Sequence, residues 1–157
     1  MAFNILDIKR VYEAEKLNFN TDEEHGIIRF TMNTNVSPDI RFNVRTVNPR
    51  TALFTTILPM NIPEDMRGAV AMYLTRVNCT LLLGNFQLDM SDGELDYKAV
   101  GVYEEETGLT DKVVTRLTYV GFNMFDKYLP GVFAILYGNK SALEAFEEVT
   151  AKKEEQG

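Results

Sequence analysis

Residues 84–99, GNFQLDMSDGELDYKA, alternate with period two on both sides of one Asp92-Gly93 pair. Phe86, Leu88 and Met90 alternate with Gln87, Asp89 and Ser91; past the glycine, Leu95, Tyr97 and Ala99 alternate with Glu94, Asp96 and Lys98. Period two places one set on each face of a strand, and Asp-Gly is the strongest short-range signal for a two-residue hairpin turn. With Ser91 opposite Glu94, Met90 faces Leu95, Leu88 faces Tyr97 and Phe86 faces Ala99, all on one face. A chain with this hairpin has to build an antiparallel sheet with an apolar face, and has to cover that face.

The rest of the chain supplies the other strands and the cover. HGIIRFTMN sets Ile28, Phe30 and Met32 against Arg29 and Thr31, and DIRFNVRTV sets Ile40, Phe42 and Val44 against Arg41, Asn43 and Arg45. Pro49 marks a turn into TALFTTILPM, where neither face is clearly polar, so this strand belongs in the middle of the sheet. Ile5, Ile8, Val11 and Tyr12 share one face of an opening helix. Pro63, Glu64 and Asp65 open a second helix, whose core stripe is Met66, Val70, Tyr73, Leu74, Val77 and Leu81. Thr110 has the position of an N-cap for a third helix, with Leu109 and Val114 spaced as a hydrophobic staple. Pro130 predicts a kink or break there, and Gly138 a C-cap. Ser141 and Glu144 have capping-box spacing for a short last helix, with a frayed AKKEEQG end. The order helix, three strands, helix, hairpin, helix is an α+β layout, with an antiparallel sheet of about five strands and helices packed on it. Residues 1–138 read as a single domain, and 139–157 as the C-terminal helix and tail.

Two surfaces stand out. Opposite the core stripe of the second helix lie Gly68, Ala71, Met72, Thr75 and Cys79, where a solvated face would carry Lys and Glu. Small neutral residues at this spacing predict close approach of another helix, from the same chain or from a second subunit. The second surface is basic. The chain carries a net charge of −7, yet residues 26–80 hold six arginines against three carboxylates. Of these, Arg29, Arg41 and Arg45 alternate outward from predicted strands, which makes them either a solvated sheet face or a contact for an acidic partner. A globally acidic chain is a poor ligand for nucleic acid. The single cysteine allows no internal disulfide, and no segment has the length and apolarity of a membrane span or signal peptide, so the expected place is the cytoplasm.

Catalytic and metal chemistry finds little footing. From Asp89 onward, an EF-hand would need its glycine at position six and its glutamate at position twelve, where Glu94 and Val100 stand. The hairpin acids alternate outward, as a solvated face does. His25 has no nucleophile near it in sequence, and Cys79 has neither a histidine neighbour nor CxxC spacing, so it reads as buried rather than reactive. There is no GxGxxG, P-loop or GxSxG motif. No catalytic, metal-binding or cofactor-binding residue is assigned, and no cofactor is expected.

GNFQLDMSDGELDYKA resembles the signature hairpin of YbjN-like domain proteins, LPMNIPEDMRGAVAMYLTRVN their strand–Pro–helix passage, and FDKYLPGVFAILYG their aspartate–Tyr–Pro helix end. The likeness spans about residues 5–138 and is weak over the opening helix. It implies a fold similar to bacterial type III secretion chaperones, which are non-enzymatic dimers that bind partner polypeptides and commonly dimerise through the middle helix. Family members often carry the label of sensory-transduction regulators, and secretion itself does not follow from a fold. The expectation is therefore a homodimeric, non-enzymatic protein-binding domain, chaperone-like or regulatory, with a protein or peptide partner and no nucleic acid or membrane partner. The alternative is a small-ligand sensor with a pocket between the sheet and the last helix, lined by Phe122, Phe125 and Phe133.

Overall fold

A computed structural model describes residues 2–156, with side chains as far as Ala151. Helix α1 (Ile5–Ala14) leads into six strands and three further helices: β1 (Asn20–Asp22), β2 (Ile27–Met32), β3 (Ile40–Asn48), β4 (Thr51–Asn61), α2 (Arg67–Asn78), β5 (Asn85–Leu88), β6 (Glu94–Val102), α3 (Asp111–Tyr137) and α4 (Ala142–Gln156). The sheet has the order β1-β2-β3-β4-β6-β5, and every neighbouring pair is antiparallel. The α+β class holds, with six strands rather than about five. The additional strand, β1, is a three-residue edge with no apolar alternation for a sequence pattern to catch. β4 lies between β3 and β6, the central place its two-sided apolar pattern predicts.

The helices cover one face of the sheet. Phe30, Phe42 and Phe54 on that face meet Tyr12 of α1 and Phe122 of α3 in one aromatic cluster, with Phe30 and Phe122 stacked at 5.9 Å between centroids. Each such ring contributes about 1.5–3 kcal/mol through the apolar surface it removes from water. Tyr12 is fully buried, so its hydroxyl needs a partner; it finds Thr118 Oγ1 at 2.7 Å, and Thr118 in turn donates to the Val114 carbonyl. Burial holds the Tyr12 phenol well above its ordinary pKa. Two glycines of α3 set how closely it lies on its neighbours. A Cβ at Gly121 would run into Thr56 of β4, and one at Gly131 into the ring and hydroxyl of Tyr73 on α2. The Tyr73 hydroxyl donates to the Tyr128 carbonyl at 2.6 Å, tying α2 to α3.

Local signals largely hold. Thr110 caps α3 by accepting from the Val113 amide, and Ser141 and Glu144 form their reciprocal capping box. Ile5, Ile8, Val11 and Tyr12 are buried together, as are Val70, Tyr73, Leu74 and Val77. α3 runs unbroken through Pro130 to Tyr137, so the predicted break is absent; packing on the sheet, α2 and α4 outweighs one missing amide. The backbone of α4 extends to Gln156, while Gly157 and the tail side chains beyond Ala151, where fraying is expected, lie outside the described residues.

The hairpin register differs from the expected one. Leu88 pairs with Leu95 and Phe86 with Tyr97, two residues away from the pairing a two-residue turn would impose. Residues 89–93 form a longer loop instead. The Asp89 carboxylate accepts from the Ser91 amide at 2.9 Å, and the Asp89 carbonyl accepts from the Gly93 amide at 2.7 Å. Gly93 sits at φ +83°, where a side chain is strained, and its carbonyl accepts from the Ile62 amide at 2.7 Å. Arg67, at the start of α2, donates to the Ile62, Met90 and Ser91 carbonyls. These tertiary bonds favour the longer loop over the isolated hairpin's preference. A shift of two residues keeps every side chain on its face, so Phe86, Leu95, Tyr97 and Ala99 are still buried, while Met90 moves out to 54% exposure.

Candidate functional site

With the helices on one side, the other face of the sheet is left open. The strand registers arrange its side chains in rows across the strands. Thr31, Arg41, Ile57, Asp96 and Gln87 stand in one row; Asn20, Arg29, Asn43, Thr55, Lys98 and Asn85 in the next; Asp22, Ile27, Arg45, Leu53 and Val100 in a third. Arg29, Arg41 and Arg45 are all exposed, and none forms a salt bridge among the described residues. The structure therefore brings the three predicted arginines to one surface. Between β1, β2 and β3 it also forms a shallow hollow of ≈ 400 Å³ that takes in Arg29, Arg41, Asn18, Asn20 and Asn43.

Asp96 on this face departs from the sequence reading. Instead of a solvated acid it is 8% exposed, and its Oδ1 is shut off from solvent without a hydrogen-bond partner. Burial pushes its carboxyl up to about 6; Lys98 opposes the rise, and Glu94 and Asp89 add to it. Asp89, by contrast, is held below the usual carboxylate range by its hydrogen bonds to Ser91. The two acids thus have the differing environments that acid–base pairs use, but Asp96 has Ile57 and Gln87 as its cross-strand neighbours and no nucleophile or histidine there. The cause of its burial is not local: β6 has β4 on one side and β5 on the other.

The neutral face of α2 is the second candidate surface. Gly68, Met72, Thr75 and Cys79 are exposed and Ala71 is half-buried, with Met72 at 58%. No described element of the same chain covers it, which removes one of the two explanations for its composition. Cys79 is exposed, contrary to the buried position expected of it, because the helix turns this side away from the core. The exposure continues past the helix end to Leu82, which borders a groove of ≈ 520 Å³ between residues 80–83 and the Tyr119, Val120 and Met124 side of α3.

The pocket expected between sheet and last helix is filled. Phe122 and Phe125 are buried, packed on Phe30, Phe42 and Phe86, and Phe133 lies half-buried against Tyr137. His25 is exposed and caps a turn: its Nδ1 lies 2.8 Å from Asp22 Oδ2, and its amide donates to Asp22 Oδ1. Those two bonds hold the Asp22 carboxyl below its ordinary value. Among the described residues, no three His, Cys, Asp or Glu side chains gather as metal ligands would, and no helix is long and apolar enough to cross a membrane.

No protein-family model matches the chain, and no curated protein matches it. Among solved structures, a chain from the HopA1-SchA chaperone–effector complex superposes with a TM-score of 0.46 at 14% sequence identity, covering 76% of this chain and 86% of that one. A likeness at this score fixes neither family nor function.

Proposed function

We propose that the chain is a non-enzymatic protein-binding module of the YbjN-like kind, chaperone-like or regulatory, which works in the cytoplasm as a homodimer. The observation that carries this reading is the uncovered sheet face with three arginines that form no salt bridge among the described residues, in a protein whose net charge is −7. Cations left unpaired in an acidic molecule complement an acidic partner, and such complementarity chiefly steers association and sets specificity. Strand addition at an edge has little room, since β1 offers three residues and β5 four. The face is therefore the larger surface for a partner, and the neutral side of α2 serves the second subunit.

The test is a tagged pull-down from the native host, analysed by mass spectrometry at low and moderate salt, alongside an R29E/R41E/R45E variant. One or two stoichiometric protein partners, lost with salt and lost in the variant, are expected. Partners that survive charge reversal unchanged remove the arginine face from the reading. A bait that captures nothing stoichiometric removes the binding-module reading itself.

A further inference from the structure

The hollow at the β1–β3 side of the open face is built to a narrower specification than a basic surface. Arg29 and Arg41 stand on neighbouring strands, Arg29 opposite Asn43 and Arg41 two residues before it, so both line the hollow from adjacent rows. Asn18, Asn20 and Asn43 add neutral amides, and the residues lining the hollow include no acid. Ile57, opposite Arg41 on the outer face, supplies apolar surface at its rim.

We propose that this hollow seats a side-chain carboxylate of the bound polypeptide, with Arg29 and Arg41 as its two cations; the assignment rests on the protein-binding reading above. Guanidinium and carboxylate match in planar geometry, and two such groups with amide donors around them satisfy one carboxylate. Ile57 gives the methylene stem of a Glu or Asp side chain an apolar contact that an inorganic oxyanion would not use. The charge of the rest of the molecule argues against an extended polyanion, because a chain of net charge −7 repels one once it leaves the hollow.

The probe is a short peptide with a single glutamate among neutral residues, labelled with an uncharged fluorophore and followed by fluorescence anisotropy and by amide shifts in two-dimensional NMR. Binding is expected to shift the amides of Arg29, Thr31, Arg41 and Asn43, and R29Q/R41Q is expected to weaken it by about tenfold or more. K112Q, which removes an exposed cation from α3, controls for net charge and is expected to leave affinity within about twofold. Equal weakening by K112Q, or shifts centred on α2, overturns the proposal. Inorganic phosphate that displaces the peptide better than acetate at equal ionic strength also overturns it, in favour of a phosphate seat. Failure here is distinguishable from failure of the wider reading. Stoichiometric partners kept by R29Q/R41Q sink the carboxylate seat and leave a binding module. The single-glutamate peptide bound through the two arginines, with no protein captured from the host, supports the seat while the wider reading falls.

Discussion

Asp96 shows how a single residue can be right in direction and wrong in environment. Its alternation with Leu95 and Tyr97 correctly sends it to the outer face, yet the strands on both sides shut its Oδ1 away from water. Its carboxyl, ordinarily at 3.8, titrates at about 6 in the folded chain. The folded state therefore holds the proton more tightly than the unfolded one. Stability unaffected below the unfolded value falls as pH rises from 3.8 towards 6, and the full cost of the buried charge persists above that. Asp96→Asn is expected to raise stability at pH 7.5, by on the order of 1 kcal/mol after allowance for solvent screening, and to change it little at pH 4. Thermal unfolding across that range checks it, and an equal gain at both ends removes the titration argument. Gly121 is the complementary case, where nothing in the sequence marks the contact. Any side chain there collides with Thr56, so Gly121→Ala is expected to cost about 1–3 kcal/mol although alanine is the better helix former. Denaturant unfolding gives the sign directly, since an exposed helical glycine would be stabilised by the same change.

At the scale of elements, the Asp89–Gly93 loop and α2 are a single unit. Arg67 opens α2 and donates to three carbonyls, one just past β4 and two in the loop. Arg67→Ala leaves those carbonyls without their donor and is expected to cost about 1–3 kcal/mol. It should also speed hydrogen exchange at Gly93 and Ile62, whose amides close the loop, more than at Leu95 or Tyr97 in the strand. Uniform acceleration would mean global destabilisation rather than a local clamp. The outer face of α2 makes a separate prediction. Met72 at 58% exposure stands beside Gly68, Thr75 and Cys79, and a Cβ on Gly68 would meet nothing within 4 Å. If this side is a subunit contact, the wild-type chain runs as a dimer in light scattering at tens of micromolar, and Met72→Glu converts it to a folded monomer. A wild-type monomer under those conditions sinks the interface.

At the scale of the whole molecule, the sheet has one packed face and one open face, and its positive charge lies on the open one. The two faces were legible in the sequence because period two separates them residue by residue: Ile28, Phe30, Phe42 and Val44 are buried, and Arg29, Arg41 and Arg45 are exposed. The same holds for helix ends, where Thr110, Ser141 and Glu144 act on their own next turn. What was not legible depends on partners distant in the chain. The short edge β1 forms only because β2 is there to pair with it. Phe122 and Phe125 look like pocket linings until Phe30, Phe42 and Phe86, from three different strands, fill the space between them. The hairpin register followed the local turn preference in sequence and the Arg67 and Ile62 bonds in the fold. By itself, then, the sequence determined which faces are apolar, where helices begin, and that the sheet is antiparallel, since those follow from periodicity and capping within a few residues. Only the tertiary structure decided the register of β5 on β6, the burial of Asp96 and the meeting of Arg29 with Arg41 in one hollow. Each of these requires segments far apart in sequence to be set side by side, and the cost and gain of doing so belong to the packed molecule.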